Sequence, residues 1–264
     1  MKKYFVIGNP INHSLSPKLH KYWLKENKID ANYEKIKLEP NEIKKFIDDI
    51  KKQKINGCNV TVPYKNTVIQ YLDKLSTEAK KTQSVNTIVF DNGNLIGHNT
   101  DIAGFNKAIK NLNFKMKDKK ILILGAGGVV PSIIFALINM GVLDITISNR
   151  TTKKAKELKS LYNNLNVVEW GHLPDFDVII NATSLGLNNE KMNFDFSKIG
   201  KNKLFYDVIY NPPETNFLTT GKELGNQTEN GKLMFVYQAF ESFKMWHNIE
   251  PKINSEILKF LEND

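Results

Sequence analysis

Residues 121–130 read Ile121-Leu122-Ile123-Leu124-Gly125-Ala126-Gly127-Gly128-Val129-Val130. Four apolar residues in a row leave no polar face, so the strand they form belongs inside a sheet covered on both sides. Gly125, Gly127 and Gly128 permit a tight turn and let the backbone approach a bulky anion, and an apolar helix from Val130 to Met140 follows, ended by Gly141. Strand, glycine loop and helix in that order aim helix N-terminal amides at a phosphate group. Glycine runs also serve ordinary turns; the flanking strand and helix carry the reading. Where a dinucleotide fingerprint has a small residue three after its second glycine, this chain has Val130.

Downstream, the alternation continues. Ile145 to Ser148 is the next strand, and a helix with Ala155, Leu158 and Leu161 on one face follows. Val167 to Trp170, Val178 to Asn181 and Leu204 to Val208 read as further strands, which together predict a parallel sheet with helices on both faces. The end of the second strand decides between two dinucleotides. An acid there would accept from a ribose hydroxyl; the chain instead has Ser148-Asn149-Arg150-Thr151, with Lys154 a helical turn on. Arg150 can grip a 2′-phosphate with its planar fork and Lys154 can add a point charge, so NADP is expected over NAD. Asp144 precedes the strand and so lies at the wrong end of it. In the commonplace alternative, Arg150 and Lys154 are solvated residues at a helix start.

Upstream, the charged stretch Lys115 to Lys120 marks a boundary after a helix from about Ile102 to Leu112. Before it lies a second α/β series. Tyr4 to Gly8, Tyr33 to Leu38, Cys58 to Val62, Thr87 to Phe90 and Leu95 to His98 read as strands, the last two joined by the turn Asp91-Asn92-Gly93-Asn94. Helices are expected from near Lys18, through Ile43, Phe46, Ile47 and Ile50, and through Tyr64, Val68, Ile69 and Leu72. From Leu233 the chain is helical again, with Phe235, Ala239, Phe240, Phe243 and Trp246 as a broad apolar stripe, and Ile253 to Leu261 is a last helix.

Composition narrows the class. The chain has 264 residues, 41% hydrophobic, enough for one large or two mid-sized domains. Cys58 stands alone, so no intrachain disulfide exists and a reducing compartment, the cytoplasm, is expected. No apolar run reaches the roughly 20 residues of a membrane-spanning helix, and Gly8-Asn9-Pro10 interrupts the first apolar run too soon for a signal peptide. The net charge of +9 comes from 37 Lys+Arg against 28 Asp+Glu, but the lysines are scattered and mixed with acids, unlike the clustered face of a nucleic-acid binder. His13, His20 and His98 lack metal-ligand spacing, so no metal site is expected.

A polar constellation lies in the first half. His13-Ser14-Leu15-Ser16-Pro17 places two hydroxyls in a strand-to-helix turn, where they either cap the helix or donate to a carboxylate. Asn59-Val60-Thr61-Val62-Pro63-Tyr64-Lys65 sends Asn59 and Thr61 from one side of a strand, with Lys65 on the first turn of the following helix. Asn86-Thr87 and Gly97-His98-Asn99-Thr100-Asp101-Ile102-Ala103-Gly104 complete the set, Asp101 opening a helix where an acid is favoured whether or not it does chemistry.

Taken in order, Ser14 to Pro17, Asn59 to Lys65, Val85 to Thr87, Asn99 to Asp101, Gly125 to Gly128, Asn149 to Thr151 with Lys154, Asn181 to Gly186, Asp207 to Pro212 and Gly231 to Ala239 resemble the NADP-dependent bacterial shikimate dehydrogenases over almost the whole chain. The resemblance implies a two-domain α/β enzyme with its active site in the cleft: a substrate domain of residues 1–101 with 236–264, and a Rossmann-like NADP-binding domain of residues 102–235 with a parallel sheet. It implies reversible reduction of 3-dehydroshikimate to shikimate by NADPH, on the route to chorismate and the aromatic amino acids, by a monomer or homodimer. Carried over by position, Lys65 and Asp101 are the catalytic pair, Ser14, Ser16 and Tyr210 hold the substrate carboxylate, and Asn59, Thr61, Asn86 and Gln238 read its hydroxyls with Asp101. Gly125, Ala126, Gly127, Gly128, Val129, Asn149, Arg150, Thr151, Lys154, Thr183, Val208, Gly231 and Met234 match positions lining NADP(H). Asn230 stands where the family has Asp, and Leu187 where it often has Met.

Physically, a hydride arriving at a carbonyl builds negative charge on oxygen, which a nearby ammonium stabilises and can protonate. Which of Lys65 and Asp101 moves the proton stays open at this level. Three other functions compete: a quinate/shikimate dehydrogenase with relaxed substrate or NAD use, a nucleotide-binding module without turnover, and, on charge alone, a nucleic-acid binder.

Overall fold

Alternating strands and helices build two separate six-stranded sheets. The computed structural model describes residues 1–261, and it divides into two compact units, one formed by Met1–Gly104 with the chain from Val236 onward and the other by Phe105–Phe235.

In the first unit, β1 (Lys2–Gly8), α1 (Ser16–Glu26), β2 (Ala31–Lys37), α2 (Ile43–Lys51) and β3 (Gly57–Val60) lead to β4 (Lys74–Leu75), α3 (Thr77–Thr82), β5 (Thr87–Asp91) and β6 (Asn94–His98). The sheet order is β2-β1-β3-β5-β6-β4. β1 runs parallel to β2 and β3, while β5 is antiparallel to both β3 and β6. The β5–β6 turn uses Asn92 and Gly93 at φ +47° and +79°, the backbone that an Asn-Gly pair adopts at low cost. Ile43, Phe46, Ile47 and Ile50 of α2 all face a core that also holds Ile7 and Ile88. Cys58 is buried in that core, and burial pushes its thiol pKa up.

Two expectations shift here. The strand at Cys58 stops at Val60, although Thr61 N still donates to Ile7 O at 2.9 Å and Val62 O accepts from Asn9 N at 3.0 Å. Pro63 has no N–H to continue it, and Val62 is exposed. The segment after it is not an α-helix. It turns through residues 62–66 and tightens into a 3₁₀ helix, Thr67–Tyr71, with bonds such as Ile69 N to Asn66 O at 3.1 Å. Lys65 therefore rides on the turn. Tyr64, Val68, Ile69 and Leu72 are spaced by four, one and three, a pattern too short to settle the helix type, and the chain must straighten by Lys74.

α4 (Asp101–Asn111) crosses the division in the chain, and the second unit continues with β7 (Lys120–Leu124), α5 (Val130–Asn139), β8 (Asp144–Ser148), α6 (Thr152–Leu161), β9 (Leu165–Val168), β10 (Val178–Asn181), β11 (Leu204–Asp207), α7 (Asn216–Glu223) and β12 (Gln227–Glu229). All pairs are parallel, in the order β12-β11-β10-β7-β8-β9, so the apolar run 121–124 sits at the centre. β9 lies two residues earlier than the sequence pattern indicates, and it ends at Val168 because Trp170 packs edge-on to Phe194 at 4.8 Å instead of joining the sheet. That aromatic layer includes Phe176, Phe196, Phe205 and Phe217. α7 lies so close to β11 that a Cβ on Gly221 would come within 2.6 Å of the Phe205 ring.

α8 (Lys232–His247) crosses back, and α9 (Ser255–Phe260), capped by Asn254, closes the described chain. Within the first unit, Phe243 is fully buried, and Trp246 fills the space beside Gly57, where a Cβ would lie 2.4 Å from its Nε1. The Trp246 indole donates to Ile88 O at 3.1 Å.

Candidate active site

At the carboxyl ends of β3 and β6 the polar constellation closes on itself. Lys65 Nζ donates to Asp101 Oδ2 at 2.5 Å, and both side chains are buried, 8% and 5% exposed. Two opposite charges held out of water must be paired and hydrogen-bonded. The second carboxylate oxygen, Oδ1, accepts from Asn86 Nδ2 at 2.9 Å. Asn86 Oδ1 accepts from Thr100 N at 2.7 Å, which fixes the amide orientation, and its Nδ2 also reaches Thr100 Oγ1 and, at 3.3 Å, Gln238 Oε1. Asp101 is the first residue of α4, so a helix N-terminus adds to its stabilisation.

Asn59 joins this group through three hydrogen bonds. Its Nδ2 donates to Asn86 O and to Thr87 Oγ1, both at 3.1 Å, and its Oδ1 accepts from the Tyr33 hydroxyl at 2.6 Å. Both amide hydrogens are engaged inside the protein, as are those of Asn86. Ser14 and Ser16 follow β1. α1 has Leu15 at its N-cap position, which offers no side-chain cap, and Ser14 Oγ accepts from the N–H of Ser16, the first helical residue, at 3.3 Å. Thr61 is half-buried, its methyl against Gly8. The first unit thus joins Lys65, Asn86, Asp101, Gln238 and Asn59 directly. Tyr210 belongs to the second unit, stacked on Phe235 at 4.4 Å.

In the second unit the remaining positions gather along one edge of the parallel sheet. Gly125 to Val129 follow β7, Asn149 to Thr151 follow β8, Thr183 follows β10 and Val208 follows β11. The loops at this edge of an open α/β sheet form its usual nucleotide site. Gly125 has φ +113°, and a Cβ there would sit 2.8 Å from Ala182 O. Gly127 differs: only Ala182 O lies within 4 Å of a Cβ built there, at 3.9 Å. Nothing in the fold demands glycine at 127, so the space beside it suits an approaching pyrophosphate. Arg150 and Lys154 are exposed and make no ion pair among the described residues, and Asp144 opens β8 at the opposite end. Asn149 Nδ2 holds the loop through Thr151 O at 2.8 Å, and Thr151 precedes α6 without a side-chain cap. These groups fit a dinucleotide with a 2′-phosphate.

Residues without an assigned role shape this edge. Asp207, buried at the end of β11, accepts from Asn181 Nδ2 at 3.0 Å, Ile209 N at 2.9 Å and Thr215 Oγ1 at 2.6 Å. Burial raises its pKa to about 6, against these hydrogen bonds, which lower it. Asn181 Oδ1 in turn accepts from Thr183 N and Oγ1. Val208 is pressed against the chain near Gly231, where a Cβ would fall 2.0 Å from Val208 O. Met234 is buried beyond it. Asn230, in the family's Asp position, accepts from Lys232 N at 3.0 Å and donates to Pro213 O. The signal for Asn181 and Asp207 was a polar residue at the end of an otherwise apolar strand. Tyr33 carried none, since an aromatic in a strand reads as core.

Comparison with known proteins agrees with this arrangement. Residues 6–88 match the model of the shikimate dehydrogenase substrate binding domain, and residues 106–212 that of shikimate / quinate 5-dehydrogenase. A shikimate dehydrogenase (NADP(+)) of Pelagibacter ubique is 53% identical over 264 residues, covering 99% of this chain and 100% of that protein. The chain belongs to the shikimate dehydrogenase family. Among solved structures, the family member from Aquifex aeolicus superposes with a TM-score of 0.90 at 36% identity, covering 100% of this chain and 98% of that one. The shikimate 5-dehydrogenase of Thermus thermophilus, solved in complex with NADP(H) and shikimate, gives 0.89 at 28% identity, over 99% and 98%. The fold is not confined to shikimate dehydrogenases: a ligand-free 5-ketofructose reductase of Gluconobacter gives 0.87 at 29% identity, over 99% and 98%.

Proposed function

We propose that the protein is an NADP-dependent shikimate dehydrogenase that reversibly reduces 3-dehydroshikimate to shikimate, as a step toward chorismate. The observation that carries this reading is the buried Lys65–Asp101 pair in a hydrogen-bonded frame. Bound NADPH supplies the hydride. Lys65 holds the proton for the substrate oxygen: Asp101 accepts through both oxygens and has no hydrogen to give, while the ammonium spends one of its three on Asp101. As charge grows on the oxygen, the same ammonium stabilises it in a site sheltered from water. Ser14, Ser16 and Tyr210 take the carboxylate, and Asn59, Thr61, Asn86 and Gln238 take the ring hydroxyls with Asp101. The first unit is assigned to substrate and the second to NADP.

Arg150 and Lys154 select NADP by facing its 2′-phosphate, so Arg150→Ala is expected to raise the KM for NADP⁺ roughly tenfold or more and to leave the slower NAD⁺ reaction little changed. Steady-state rates with shikimate and quinate, each against NADP⁺ and NAD⁺, test the whole reading. A preference for NAD⁺ would overturn the role of Arg150, and quinate turnover equal to that of shikimate would favour the broader quinate/shikimate activity. The setting proposed is the cytoplasm, where Cys58 stays reduced, with the enzyme a monomer or homodimer that engages neither nucleic acid nor membrane. No described helix is long and apolar enough to cross a membrane. Light scattering on the purified protein checks the assembly state.

A further inference from the structure

Tyr33, on β2 and 1% exposed, has the look of a core aromatic. Its ring is clamped, stacked on His20 at 4.1 Å with an interplanar angle of 2° and set against Trp246 at 6.1 Å. That clamp gives the hydroxyl one direction, toward Asn59 Oδ1 at 2.6 Å. From there an unbroken buried path runs inward. Asn59 Nδ2 donates to Thr87 Oγ1, Thr87 Oγ1 donates to Asn86 Oδ1 at 3.2 Å, Asn86 Nδ2 donates to Asp101 Oδ1, and Lys65 donates to Asp101 Oδ2.

The path has a polarity. The Asn86 carbonyl can only accept, so Asn59 must turn its Nδ2 toward it and its Oδ1 toward Tyr33. Receiving a hydrogen from Asn59, Thr87 passes its own to Asn86 Oδ1, and this helps keep the Asn86 amine on Asp101. We propose that Tyr33 is a positioning residue of the Lys65–Asp101 pair, acting through Asn59, Thr87 and Asn86. The inference rests on the reading of that pair as the reacting one. Thr100 N also holds Asn86 Oδ1, so losing the Tyr33 hydroxyl loosens the frame without dismantling it.

The test is a double-mutant cycle on the full chain, with Tyr33→Phe, Thr87→Val and the pair combined, assayed with shikimate and NADP⁺ alongside Lys65→Ala. Each single variant is expected to lose about tenfold in kcat, with the KM for NADP⁺ within twofold of wild type, and the combination to lose little more than either alone. A merely structural role would give losses that multiply, or a lower melting temperature at unchanged kcat; either result overturns the proposal. If Tyr33→Phe does not fold, Thr87→Val decides: an unchanged kcat overturns the proposal, and a loss at constant cofactor KM supports it. Near-normal turnover by Lys65→Ala would remove the underlying reading and this inference with it. An inactive Lys65→Ala beside a fully active Tyr33→Phe sinks this inference alone.

Discussion

Lys65 illustrates how a residue common on surfaces comes to be held out of water. Most lysines of this chain are exposed, but this one is drawn under the surface by a carboxylate that is itself held by an amide. Truncating it has two separable effects. Lys65→Ala is expected to lower turnover by orders of magnitude while NADP⁺ binding stays nearly intact, as isothermal titration would show. It also strands the Asp101 charge, which costs about 3 kcal/mol of stability in urea titrations. Replacing both partners by apolar residues of similar size, Lys65→Met with Asp101→Leu, is expected to recover most of that stability and none of the turnover.

At the scale of elements, the glycines of the second unit separate folding from binding. Gly221→Ala forces a Cβ against the Phe205 ring and is expected to cost 1–3 kcal/mol, roughly, with no change in cofactor KM. Gly127→Ala meets no close neighbour, so its melting temperature should match wild type while the KM for NADP⁺ rises roughly tenfold. Thermal melts with steady-state kinetics on both variants check the contrast. What was readable beforehand follows the same division. The run 121–128, the α2 stripe and the Asn92-Gly93 turn announced themselves because one local rule governs each. The turn that carries Lys65 did not, because an apolar spacing over two short turns fits either helix type. The Tyr33–Asn59 contact did not either, since it joins β2 to β3 and depends on a register that no local pattern encodes. Of the site, residue types and order were legible; which amide hydrogens remain available was not.

For the whole molecule, the acid limb of stability is set by a few buried groups. Burial lowers the pKa of His20 to about 3 and of His247 to about 4, and raises that of Asp207 to about 6. Below pH 6.5 the unfolded chain takes up protons that the native histidines refuse, so each histidine makes stability decrease as the pH is lowered. Asp207 works the other way between pH 6 and its ordinary range near 3.8, because its native form binds the proton more readily. Burial lowers the pKa of His13 and His98 as well, and raises that of Glu229, so the histidines outnumber the opposing acids and stability falls as the pH drops from 6 to 4. His20→Leu removes one of these histidines and should make that slope shallower, as urea titrations at pH 6, 5 and 4.5 would reveal. The net charge of +9 is a separate matter, a diffuse lysine background around Lys65, Arg150 and Lys154.

The passage of α8 from one unit to the other sets an order of events during synthesis. Residues 105–235 form the second unit without any later part of the chain, whereas the first needs the stretch that brings Phe243 and Trp246 to its sheet. As the polypeptide leaves the ribosome, β1 to β6 therefore wait, with the groove at Gly57 bare, until well over a hundred further residues have been made. The half of the enzyme translated first is the half completed last, and a nascent chain stalled before Trp246 would hold a finished second unit and an unsealed first one.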